Sequence, residues 1–103
     1  MECLQVTTAV GTRDAADRLA AELVAERFAA CAQVVGPVQS TYRWAGRVER
    51  SEEWYCHLKT TRARLADLIA AIRARHSYEL PEIVAVPLDG SEDYLRWIVE
   101  NVG

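Results

Sequence analysis

No stretch of this sequence stays apolar for the ~18 residues that a membrane-crossing helix needs, and its amino terminus lacks the basic-then-apolar pattern of a signal peptide. The expectation is a cytoplasmic protein without membrane attachment. Cysteine is scarce: Cys3, Cys31 and Cys56 are odd in number, far apart and set among apolar residues, as reduced thiols are. There is no CxxC pair to serve redox or zinc chemistry. Positive charge is also in short supply. The net charge is -3 and the arginines are interleaved with acids, which excludes nucleic acid as the main partner. The glycines at 11, 36, 46, 90 and 103 are isolated, so no phosphate-binding loop is present. Repeats and low-complexity segments are missing, and 103 residues leave room for one domain, 1–103. What remains is an ordinary globular composition, 50% hydrophobic and 26% charged, leaning slightly towards a chain that buries surface in an oligomer.

The hydrophobic pattern divides this domain into strands and helices. Leu4 to Thr8 alternates and is rich in β-branched residues, reading as a strand stopped by Gly11. From Arg13 to Ala30, Ala16, Leu19, Ala20, Leu23, Val24 and Phe28 recur at three- and four-residue steps, predicting an amphipathic helix capped by Thr12. Cys31 to Trp44 and Arg47 to Thr60 read as a long hairpin turning at Ala45-Gly46. Fourteen extended residues span ~46 Å. A compact domain of this size has a radius of gyration of only about 13 Å. The hairpin must therefore bend, for which Gly36-Pro37 is placed, or protrude and be covered by another subunit. On its return strand Trp54, Cys56 and Leu58 face one way, and Tyr55, His57 and Lys59 the other. Thr61 is expected to cap a second helix with the stripe Leu65, Leu68, Ile69 and Ile72. Ile83 to Leu88 is nearly all apolar, as a strand buried on both faces would be. A Ser91-capped helix from Glu92 to about Val102 follows, with Tyr94, Trp97 and Ile98 on its apolar side. The order βαββαβ plus a helix predicts an α+β, ferredoxin-like sandwich whose open sheet face is buried by the last helix or by other subunits.

Five segments in this order carry a resemblance. They are Ala29-Ala30-Cys31, Tyr42-Arg43-Trp44-Ala45-Gly46, Lys59-Thr60-Thr61, His76-Ser77-Tyr78-Glu79-Leu80-Pro81-Glu82 and Asp93-Tyr94-Leu95-Arg96-Trp97. Together they resemble the CutA family of divalent-cation tolerance proteins over essentially the whole chain. The resemblance implies a PII-like homotrimer with interlocked hairpins, a cytoplasmic location, a link to copper and other divalent ions, and no firmly established enzyme activity. Family members credited with a copper site carry a cysteine in the first strand and two adjacent histidines. Here these positions are Thr7 and Arg75-His76, and Ser77 replaces the usual following proline.

His76 is thus the one remaining candidate metal ligand, where copper or zinc wants two to four ligands at about 2 Å. The competing reading has it capping the carbonyl end of its helix. Cys31 is a candidate nucleophile by residue type, but a thiol among alanines at a helix-to-strand junction is more often packing. Glu79 and Glu82 offer paired carboxylates, which Pro81 is expected to turn apart. Tyr42, Trp44, Trp54 and Trp97 are candidate trimer contacts, with Trp44 an anchor at the hairpin tip. A cleft between subunits lined by Lys59, Tyr78, Glu82, Cys31 and Trp44 is expected to suit a small anionic or zwitterionic ligand. The leading expectation is a binding or signalling trimer without turnover; the alternatives are an enzyme or sensor using that cleft, or a trimeric scaffold.

Overall fold

The computed structural model describes residues 2–103. Its strands are β1 (Cys3–Val10), β2 (Cys31–Trp44), β3 (Arg47–Thr61) and β4 (Ile83–Leu88), and its helices α1 (Arg13–Ala25), α2 (Leu65–Arg75) and α3 (Glu92–Glu100). The antiparallel sheet has the order β2-β3-β1-β4, the ferredoxin-like arrangement that the element order predicted. Helices α1 and α2 cover one face. Val6, Leu19, Leu23, Cys56, Leu58, Leu68 and Ile72 form the core there, all essentially sealed from solvent. Burying each large aliphatic side chain stabilises by roughly 1.5–3 kcal/mol, so this layer supplies most of what holds the helices down.

Helix α1 begins as expected, with the Thr12 hydroxyl accepting from Ala15 N–H at 3.1 Å. It ends at Ala25, short of Ala30. Arg27 sits in the left-handed region at φ 64°, and Arg27 and Phe28 N–H donate back to Val24 and Leu23 carbonyls, closing the helix. The released chain brings Ala29 and Ala30 into the interior, and Ala30 N–H donates to Lys59 O at 2.8 Å. The start of the second helix also differs from expectation. A 3-10 turn, Arg62–Arg64, intervenes before α2, and the Thr61 hydroxyl makes no capping bond. Its buried stripe is Leu68, Ala71 and Ile72, with Leu65 packed beside it. Helix α3 is capped by Ser91, and only Ile98 is fully buried; Tyr94 and Trp97 are exposed and stack on each other at 5.5 Å.

The hairpin of β2 and β3 turns at Ala45 and Gly46, both at positive φ, and stretches the molecule to 44 × 24 × 22 Å. At Gly36-Pro37 the pairing slips between Val35 and Val38, the bend that the sequence placed there. Glycine is required at 36, because a Cβ there would come within 2.6 Å of the Trp54 ring.

Strand β4 overturns its expected burial on both faces. It is an edge strand, and Val84 and Val86 are each 52% exposed. The apolar run reads as doubly buried only if something covers that face. Within the chain, α3 covers just one end of it, where Ile98, Leu95 and Val99 pack on Cys3 and Leu88.

Candidate functional site

Alternation along β3 sets the site. With Trp54, Cys56 and Leu58 turned into the core, Ser51, Glu53, Tyr55, His57 and Lys59 all lie on the opposite, open face of the sheet. Across from them, the segment after α2 returns over β1. His76 fixes this return by using both ring nitrogens: Nε2–H donates to Ala9 O at 2.8 Å, and Nδ1 accepts from Tyr78 N–H at 3.1 Å. Its ring also packs against Tyr78, centroids 4.7 Å apart. The imidazole therefore ties the loop to β1 and does not cap the helix carbonyls.

Held in this way, Tyr78 places its phenol over β3 and donates to Glu53 Oε2 at 3.0 Å. Burial, with the Glu53 carboxylate beside it, pushes the Tyr78 hydroxyl up to about 12. It stays a neutral donor at physiological pH. Glu53 is only 9% exposed. The space between the hairpin and the 78–84 segment is an open groove of about 1020 Å³, with Glu53, Tyr55 and Tyr78 at its base and Tyr42 and Trp44 along the hairpin wall. The Ser51 hydroxyl donates to Tyr42 OH at 3.3 Å on that wall.

Of the expected cleft residues, Tyr78, Glu82 and Trp44 line this one groove, together with Glu79. Lys59 and Cys31 do not. Lys59 donates to Gln33 Oε1 at 2.7 Å, and Cys31 Sγ lies 3.5 Å from Tyr94 OH, both farther down the open face. Trp54 spends its ring inside the subunit, against Gly36 and the core. Trp97 and Tyr42 are half-exposed. The sequence reading missed Glu53. Its signal was available, since an acid placed between Ser51 and Tyr55 must share their face once Trp54 points inwards.

Around Thr7 the open face is polar. His57 Nδ1 and the Thr7 hydroxyl are 2.8 Å apart, and burial and the nearby Lys59 ammonium hold the imidazole below its ordinary value, with Glu82 acting the other way. The other thiols offer no nucleophile. Cys56 is sealed in the core and burial pushes it up to about 11; burial also raises Cys3. Among the described residues no three His, Cys, Asp or Glu side chains converge to hold a metal ion.

The family described as CutA1 divalent ion tolerance protein matches residues 4–101 of the chain. The chain is similar to the Divalent-cation tolerance protein CutA of Thermus thermophilus, 39% identical over 95% of this chain and 96% of that one. It is 36% identical to Protein CutA, chloroplastic, of Arabidopsis thaliana over 90% of its own length, and spans 52% of that plant protein. Among solved structures, the divalent cation tolerance protein Cut A1 from Thermus thermophilus superposes with a TM-score of 0.94, covering 100% of both chains at 39% identity.

Proposed function

The chain belongs to the CutA1 divalent ion tolerance protein family, and we propose that it acts in divalent-cation tolerance as a cytoplasmic homotrimer that binds and signals without catalytic turnover. The observation that carries the trimer is the free edge of the sheet. Val84 and Val86 stand half-exposed on β4 while the hairpin extends Tyr42, Trp44 and Val48 into solvent. An apolar edge strand of this kind pairs indiscriminately unless it is covered. A second and third copy supply the cover, each hairpin lying against its neighbour as the family resemblance implies. Free, unpaired cysteines support a reducing compartment.

Copper does not fit the residues of one subunit. His76 has both nitrogens engaged, Thr7 bonds to His57, and Arg75 pairs with Glu22 and Glu26 at 2.9 Å each. The proposal therefore puts any divalent-ion contact outside His76. Titration calorimetry with Cu(II) is expected to give the same isotherm for wild type and His76→Ala. Loss of saturable binding in the variant would return His76 to the ligand set.

A further inference from the structure

We infer that the crevice between α1 and the end of α2 binds a small carboxylate with a short alkyl body. It is a hollow of about 150 Å³ on the helix-covered side of the sheet. None of its walls belongs to β4 or to the hairpin, the surfaces that the proposed trimer covers. The site is therefore complete in one subunit, and it goes beyond the divalent-ion reading without depending on it.

The charged groups of the crevice divide into engaged and free ones. Arg75 donates Nε–H to Glu22 and Nη2–H to Glu26 at 2.9 Å each, and Nη1–H to the Ala71 carbonyl at 3.0 Å. Its guanidinium and the Glu22 carboxylate thus hold each other. His76 also takes no part, because both of its ring nitrogens are engaged, with Ala9 and Tyr78. Arg18 and the Ser77 hydroxyl line the same crevice and make no side-chain hydrogen bond or ion pair among the described residues. What the crevice offers a guest is therefore donors, and a planar carboxylate is the acceptor that a guanidinium meets with two parallel bonds. A cation finds no free carboxylate there, and a divalent metal finds no group of three candidate ligands among the described residues.

Beneath these donors the floor is apolar, made by Ala15 and by Val10 and Leu19 of the core. A hollow of about 150 Å³ is smaller than the ~300 Å³ at which drug-sized pockets begin, so the guest is a short aliphatic acid. Held between Arg18 on α1 and Ser77, it braces the start of the segment that carries Tyr78.

The test follows the backbone amide resonances of the full chain by NMR during titration with isobutyrate. Wild type should show saturable shifts at Ala15, Arg18 and Ser77, with a dissociation constant on the order of a millimolar for so small a ligand. Isobutyramide, the same shape without the charge, should leave these resonances unmoved, and formate, the charge without the alkyl body, should bind several-fold more weakly. Arg18→Gln should weaken isobutyrate at least about fivefold, whereas Arg73→Gln, which removes an equal charge from α2 outside the crevice, should leave it unchanged. Both side chains are exposed, so neither change disturbs the core. Equal weakening by the two variants overturns the inference, because it marks general attraction to surface charge. So do formate or isobutyramide binding as tightly as isobutyrate, or the absence of saturable shifts in wild type. The mass of the protein in solution judges the trimer separately.

Discussion

Thr8 keeps its hydroxyl sealed in the core with no hydrogen-bond partner among the described residues. A buried unsatisfied polar group costs about 1–3 kcal/mol, so Thr8→Val, which keeps the branched shape, is expected to raise stability by about 1 kcal/mol in chemical denaturation. His57 gives the opposite kind of prediction, one in pH. Its imidazole is held below the ordinary 6.5 by burial and by Lys59. The unfolded chain then binds this proton more readily than the folded one. Stability is fully present above about pH 6.5 and falls as the solution is acidified through the lower folded value. Denaturation midpoints at pH 7.5 and 5.5 should show the drop in wild type and a smaller one in His57→Gln. In the sequence His76 stood out as a candidate ligand and His57 as a polar residue on the mixed face of the return strand. Their hydrogen bonds were not visible there, because His76 meets Ala9 across 67 residues and His57 meets Thr7 across 50. Such partners follow from sheet register and loop return, which local patterns do not contain.

At the scale of elements, the strands and helices were largely legible because their periodicities are strong, and the misses have local causes. Helix α1 was read through to Ala30 since Phe28 continues the apolar stripe. The left-handed Arg27 ends it, and no glycine marks that turn. Phe28 is still used: the guanidinium groups of Arg64 and Arg75 lie 4.8 and 5.8 Å from its ring, which joins the end of α1 to α2. The hairpin turn was legible from Ala45-Gly46, but its geometry exposes a weakness. Ala45 at φ 50° and Gly46 at φ 78° form a two-residue turn of the kind that favours Asn-Gly. A left-handed residue other than glycine or asparagine costs roughly 1–2 kcal/mol. Ala45→Asn is thus expected to stabilise the protein by about 0.5–1 kcal/mol, read as a higher denaturation midpoint with the hairpin's mutual contacts unchanged.

For the whole molecule, the informative error concerns β4. Its composition predicted a strand covered on both faces, whereas the single chain leaves Val84 and Val86 half-exposed on an edge. The proposed trimer accounts for the difference, because a neighbouring subunit would cover the face that one chain leaves open. The 44 Å long axis speaks the same way, for a hairpin that has left its own core behind. The candidate groove was half legible for a related reason: Tyr78 and Glu82 stood out in a dense loop, while Glu53 is one acid among several in β3 and gains meaning only when Tyr78 folds over it. Val86 lies away from the subunit's core clusters, so Val86→Glu is expected to leave the subunit folded by circular dichroism while breaking the assembly. The most direct measurement is the molar mass by light scattering during size exclusion at micromolar concentration. A homotrimer gives three times the 11.5 kDa subunit for wild type and a fall towards 11.5 kDa for Val86→Glu. A wild-type chain that elutes as a stable 11.5 kDa monomer would contradict it.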